Sequence, residues 1–117
     1  MTLSARVVAQ PSARRELLQA LLNWVTAVKR EAGIVAASVA EDAEVPAVFH
    51  LSASWESAAG LDAHIRSDAF GILLGGVGVL AESIGMTVSR PIDDYGGDAL
   101  PAIRRLRRER AEIEETT

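Results

Sequence analysis

The residues best suited to chemistry lie in one stretch of this chain, from Trp55 through His64 to Phe70. Imidazole is the side chain that ordinarily exchanges a proton near neutrality, and aromatic rings wall pockets for flat apolar molecules. Trp24 and Phe49 add two further rings in a sequence whose aromatic content is only 4%. His64 is therefore the candidate proton acceptor, with Trp55 beside it and Trp24, Phe49 and Phe70 as walls of a slot. Core packing is the plainer alternative for each ring, and packing or capping for the imidazole. Other chemistries fail on spacing. His64 and Asp68 could share a helical face, but a metal site asks for three or more protein ligands and no third has that spacing, so no metal is expected. There is no G-x-S-x-G elbow, and Gly71, Gly75, Gly76 and Gly78 are not followed by the Lys-Ser/Thr pair of a phosphate-binding loop.

A strand and a broken helix must hold these residues. Ala47, Phe49, Leu51, Ala53 and Trp55 alternate with Val48, His50, Ser52 and Ser54, so a strand here has one wholly apolar face. Ser57 predicts an N-cap for a short helix through Leu61 and Ile65, and Ser67 a second cap before a helix running to Ser83. Upstream, Leu3 to Gln10 alternates as a strand ended by Pro11. Ser12 is the expected cap of a long helix to about Ala32, with Leu17, Leu21, Trp24 and Val28 as its inner stripe and Gly33 as its left-handed stop. Ile34 to Glu41 reads as a second strand, joined to the Trp55 strand by an acidic hairpin turn. Met86 to Ile92 reads as the last, followed by a turn over Asp93 to Gly97. Strand, helix, strand, strand, helix, strand is a split β-α-β. The expected class is thus α+β and ferredoxin-like, with a four-stranded antiparallel sheet. Residues 1–95 form the domain, and 96–117 a charged helical extension with Ala99, Ile103, Leu106 and Ile113 as a thin apolar stripe.

Composition sets the remaining bounds. The 117 residues, 49% apolar and 24% charged, suit a single globular domain. The absence of cysteine fits a reducing cytoplasm. A net charge of −4 argues against nucleic acid as a partner, and the arginines from Arg104 to Arg110 are closely followed by Glu109, Glu112, Glu114 and Glu115. The apolar run from Ala69 to Ala81 falls short of the roughly 20 residues of a membrane span, so no membrane contact is expected.

The run Phe49-x-Leu51-x-Ala53-x-Trp55-Glu56-Ser57, then Leu61-Asp62-Ala63-His64, then Ser67-x-x-Phe70, resembles the antibiotic biosynthesis monooxygenase domain. The resemblance implies a dimeric α+β barrel. It also implies cofactor-independent oxygenation of an aromatic or quinone-like small molecule, with His64 and Trp55 in the reaction. Two positions depart from the family pattern: Ala53 stands where many members carry Glu, and Leu51 where some carry Asn. Leucine cannot replace the hydrogen bond that asparagine would make. A catalytically silent dimer of the same fold, binding an apolar ligand or a protein partner, is accordingly the second reading. The homodimer follows from the strands themselves. Helices can cover only the face bearing Phe49, Leu51 and Trp55, so the opposite face, with Val8, Val48, His50, Ser52 and Ser54, is expected to meet a second copy sheet against sheet.

Overall fold

Period-two alternation builds the sheet. In strand β1 (Thr2–Ala9), Leu3, Ala5, Val7 and Ala9 are buried, while Arg6 on the other parity is exposed. In strand β3 (Val48–Trp55) the buried row is Phe49, Leu51, Ala53 and Trp55. Together with β2 (Ile34–Glu41) and β4 (Ala81–Ser89), these make a four-stranded antiparallel sheet in the order β2-β3-β1-β4. The computed structural model describes residues 1–91 and 98–116. Helices α1 (Arg14–Val28), α2 (Ala58–Ile65) and α3 (Asp68–Leu80) cover one face, sharing a core with the buried strand rows through Leu17, Leu21, Trp24, Val28, Leu61, Phe70, Leu73 and Val77. The α+β, ferredoxin-like expectation is what the chain adopts.

Several boundaries differ from expectation, each for a local reason. Helix α1 begins at Arg14 with Ala13 at the cap and no side-chain cap bond. Ser12 falls in the preceding turn, which Ala13 N–H closes on the Gln10 carbonyl at 3.0 Å. The helix ends at Val28 because Arg30 and Glu31 bond three residues back, to Ala27 and Val28, in the tighter 3₁₀ manner. Gly33, at φ +76°, then turns the chain into β2, a conformation open to glycine without strain. Helix α3 is unbroken despite its four glycines, and it stops at Leu80 rather than near Ser83. There Gln10 N–H takes the Leu80 carbonyl and Ala81 pairs with Ala9, so the β1 ladder captures the chain five residues before Met86. A bulge between Ile34 and Ala36 turns Val35 outward, leaving it 64% exposed. The expected turn over 93–97 and the boundary at 95/96 lie outside the described residues.

Among the described residues, no element covers the other face of the sheet. A shallow trough there is lined by Ser4, Arg6, His50, Ser52, Gly85 and Thr87. One expected member of this face is corrected: Val48 is only 1% exposed, enclosed within the chain itself beside the hairpin turn, where its N–H bonds the Val45 carbonyl. It is not available to a second copy. Helix α4 (Leu100–Thr116) follows the domain, and among its described residues only Ala102 is buried. Ile103, Leu106 and Ile113 of the expected stripe are exposed, and Arg110 pairs with Glu114 at 3.1 Å.

The β2–β3 turn carries the clearest electrostatic feature. Asp42 Oδ2 meets His50 Nε2 at 2.9 Å, and Oδ1 accepts the Glu44 and Val45 N–H groups at 2.9 and 3.0 Å. The bond to His50, followed by the two backbone bonds, holds its carboxyl down from 3.8 to about 2. A depressed carboxyl stabilises the fold fully above its unfolded value and loses that contribution as pH falls through the folded one. Asp42→Asn is therefore expected to lower the urea midpoint above pH 3.8, and the gap from wild type to close as pH falls towards about 2.

Candidate functional site

The break between α2 and α3 places the imidazole. Ser57 caps α2 by accepting the Gly60 N–H, and Ser67 caps α3 by accepting the Phe70 N–H, both at 3.2 Å. Ser67 also closes α2: its N–H and its hydroxyl both donate to the His64 carbonyl, at 2.9 and 2.6 Å. One serine thus ends one helix and starts the next, with the axes bent by 57°. His64, in the last turn of α2, and Phe70, in the first turn of α3, are thereby turned inward to the same place. Gly60 completes the fit on the strand side, since a Cβ there would stand 3.2 Å from Trp55 Cδ1.

Four rings meet at this point. The His64 centroid lies 5.0 Å from Trp55, 5.3 Å from Phe70 and 5.7 Å from Trp24. The imidazole side chain is fully enclosed, and both nitrogens are bonded. Trp24 Nε1–H donates to His64 Nε2 at 3.0 Å, while His64 Nδ1 meets Glu31 Oε2 at 2.6 Å. Indole nitrogen can only donate, so Nε2 must carry a lone pair and the ring proton must sit on Nδ1, donated to the carboxylate. The other oxygen of Glu31 accepts from Trp55 Nε1–H across a longer 3.4 Å. No described side-chain polar atom is buried without a partner.

The expected site residues divide accordingly. Trp24, Trp55, His64 and Phe70 come together. Phe49 does not: it lies six positions from Trp55 along β3, about 20 Å at strand rise, fully buried with the Arg14 guanidinium 5.2 Å from its ring centre. It belongs to the far end of the core. His64 is also less accessible than a free proton acceptor would be, because no nitrogen is vacant. Trp24 connects the cluster to the surface. It forms part of the floor of a groove of about 310 Å³ between α1 and α3, with Ala20, Ala27, Ile72 and Gly76 among the lining residues and Asn23 at hand as a polar group.

Glu31 is the member that sequence reading passed over. Its signal was its place: an acid beside Lys29 and Arg30, at the end of a helix where the dipole disfavours negative charge. It also stands two turns beyond Trp24. The tightening of the chain after Val28 carries it inward to His64, with 26% of its side chain still exposed.

The profile of the antibiotic biosynthesis monooxygenase family matches residues 1–71, a span that includes every member of this cluster. The chain belongs to that family. Solved structures agree on the fold of this monooxygenase-family domain. Rv0793 from Mycobacterium tuberculosis superposes with a TM-score of 0.73 at 26% identity, over 80% of this chain and 95% of that one. PA3566 from Pseudomonas aeruginosa gives 0.69 at 23%, over 78% and 93%. A structure described as an antibiotic biosynthesis monooxygenase gives 0.65 at 19%, over 77% and 98%. No curated protein matches the sequence. Among the described residues no group of three His, Cys, Asp or Glu could hold a metal ion, and no single helix is long and apolar enough to cross a membrane.

Within this domain the two indole bonds differ in consequence. Trp24→Phe strips a fully enclosed imidazole nitrogen of its donor, a loss of about 1–3 kcal/mol. Trp55→Phe removes a long bond to a carboxylate that water can still reach. Urea unfolding is expected to rank Trp24→Phe as the more destabilising of the two, and equal losses would mean that the Trp24–His64 bond contributes nothing special.

Proposed function

We propose that this chain is a cofactor-independent monooxygenase acting on an aromatic or quinone-like small molecule. The observation that carries the reading is the Trp24–His64–Glu31 chain, a polar and titratable line buried beside an apolar groove in a domain of this family. The reaction asks little of a protein. A phenolic ring that loses a proton delocalises the charge onto carbon, and that carbon can donate electrons to dioxygen. A hydroperoxide forms there and loses water. In net terms one CH2 plus O2 becomes C=O plus H2O, as when anthrone gives anthraquinone; for a phenol the ring C–H and the phenolic O–H together supply the two hydrogens, and both carbons end as C=O. The protein must bind the ring, exclude water and accept the first proton.

His64 is the proposed acceptor at Nε2, and Trp55 holds Glu31 in place below it. Trp24 and Phe70 form the aromatic wall against the substrate. Residues 1–95 are the proposed functional unit, with α4 as an appendage, and a reducing cytoplasmic setting suits a chain without cysteine. A homodimer through the open sheet face is part of the same proposal. Support comes from that face's row of small and polar side chains, which two sheets can approach closely across a two-fold axis.

One observation favours the second reading, a silent dimer that only binds an apolar ligand. Leu51 and Ala53 are buried at 4% and 1% exposure, so neither provides a polar group where other family members place Asn or Glu. Oxygen consumption separates the two. With anthrone or 1-naphthol and no added flavin or metal, aerobic turnover is expected and His64→Ala is expected to lose it; ligand binding without oxygen uptake would leave the silent reading standing. For the assembly, sedimentation is expected to show twice the chain mass. Ser52→Arg, on the open face, is expected to halve it while far-UV circular dichroism stays unchanged. A wild-type monomer would remove the dimer from the proposal.

A further inference from the structure

The open sheet face carries a charge that the proposed homodimer, on which this step rests, would enclose. Arg6 sits in the middle of β1, an inner strand, with His50 directly across on β3 and Gly85 directly across on β4. The next row of the face places Ser4 between Ser52 and Thr87. These six residues line the trough, which measures about 540 Å³. Beside Arg6 it is roomy, since a Cβ added at Gly85 would meet nothing within 4 Å. Arg6 is exposed, and among the described residues neither it nor the hydroxyls of Ser4, Ser52 and Thr87 have a side-chain partner.

The strands supply no counter-charge. The paired positions that face this way on the four strands include no Asp or Glu. Glu82, at the irregularity in the β1–β4 pairing, makes no bond to Arg6. Asp42 is already engaged, through Oδ2 with His50 and through Oδ1 with two backbone N–H groups. Packed sheets stand about 10 Å apart. A two-fold axis therefore puts the Arg6 guanidiniums of both copies into one thin layer, where like charges stripped of water repel.

We propose that the two facing troughs hold one small dianion, an oxyanion such as sulfate, hydrogenphosphate or a dicarboxylate, shared by the Arg6 guanidiniums of both copies. Two guanidiniums bring two positive charges, and one dianion cancels both. Each guanidinium offers paired N–H donors in a fixed fork, the geometry that sulfate, phosphate and carboxylate oxygens accept. Ser4, Ser52 and Thr87 add hydroxyl donors in the adjacent row, and Gly85 leaves the space. One trough alone supplies a single charge and an open side, so the site is incomplete without the second copy. It lies on the opposite face of the sheet from Trp24, His64 and Glu31 and takes no part in their chemistry. It makes assembly respond to the dianions present.

The test is sedimentation equilibrium of the full chain in Tris chloride, with sodium sulfate, disodium malonate or sodium chloride added at matched ionic strength. A ligand that binds only the dimer tightens it by mass action. A tenfold excess over the ligand's own dissociation constant lowers the dimer's by about tenfold. That fall is expected with sulfate, malonate or both, and not with chloride; which of the two acts distinguishes an inorganic from an organic dianion. Calorimetric titration is expected to count one dianion per two chains. Arg6→Gln, with the charge gone, is expected to pair without added dianion and to ignore it. A wild-type dimer that treats dianions and chloride alike overturns the shared site and keeps the dimer. One dianion per chain also overturns it, as does a folded Arg6→Gln that responds as wild type does. A folded Arg6→Gln that no longer pairs overturns it too, because a carboxylate of the second copy would then meet Arg6 directly. Should the variant fail to fold, the wild-type salt series and stoichiometry decide. A wild-type monomer in every salt sinks the dimer and this site with it, while the oxygenase reading stands or falls on oxygen uptake alone.

Discussion

A fully enclosed imidazole needs a partner at each nitrogen, and that requirement ties together parts of the chain that are remote in sequence. His64 comes from α2, Trp24 from the middle of α1 and Glu31 from the turn after it. Leaving either nitrogen unpaired would cost about 1–3 kcal/mol, a large share of a small domain's net stability. The tight end of α1, the glycine at position 33 and the bent α2–α3 junction all serve this one meeting. Trp55 adds the strand, through its ring against His64 and its long bond to Glu31. The cluster is therefore a structural junction whatever chemistry it performs.

The helical layer has the opposite character on its outer side. Helix α3 exposes Ile72 and Val79 at 76% and 72%, and its glycines 71, 75 and 78 touch nothing within reach of an added Cβ. Each interior glycine costs a helix roughly 1 kcal/mol relative to alanine. Phe70, Leu73 and Val77 on the inner side offset this by burial. At Gly76 an added Cβ would meet Ala20 of α1 at 3.8 Å, an ordinary packing distance at the groove wall, so space alone does not demand glycine there. No contact among the described residues accounts for glycine at any of the four positions.

What could be read from sequence was whatever local pattern determines. The buried row of β3, the inner stripe of α1 and the serine caps at 57 and 67 each follow from periodicity or from a single side chain facing its own backbone. Boundaries set by long-range pairing were not legible in this way. β4 begins at Ala81 because β1 is there to pair with it, and nothing within residues 69–85 announces that. Site geometry divides along the same line. Trp55, His64 and Phe70 are close in sequence, and their rings meet in the core, although none of them lines the groove. Phe49, on the right face of the right strand, lies too far along it. Glu31 could be suspected only as an acid at the wrong end of a helix, and its partner is 33 residues away. Val48 has the parity of the open face, yet the hairpin turn encloses it, which alternation alone does not reveal.

The two sides of β3 are not independent. Leu51, Ala53 and Trp55 face the helices, and His50, Ser52 and Ser54 face away; a slip of one residue would exchange the rows. Register is held at both ends. At the Trp55 end, its N–H bonds the Met1 carbonyl at 2.9 Å and the next N–H bonds the Gly33 carbonyl at 2.8 Å. At the other, Asp42 N–H bonds the Val48 carbonyl at 2.9 Å and its side chain takes His50. The Gly33 bond belongs to the same turn that delivers Glu31 to His64. The pairing that keeps small polar residues on the open face is thus fixed by backbone bonds adjacent to the buried cluster. A change at this corner would disturb both the titratable site and the sheet's outer surface, although neither touches the other.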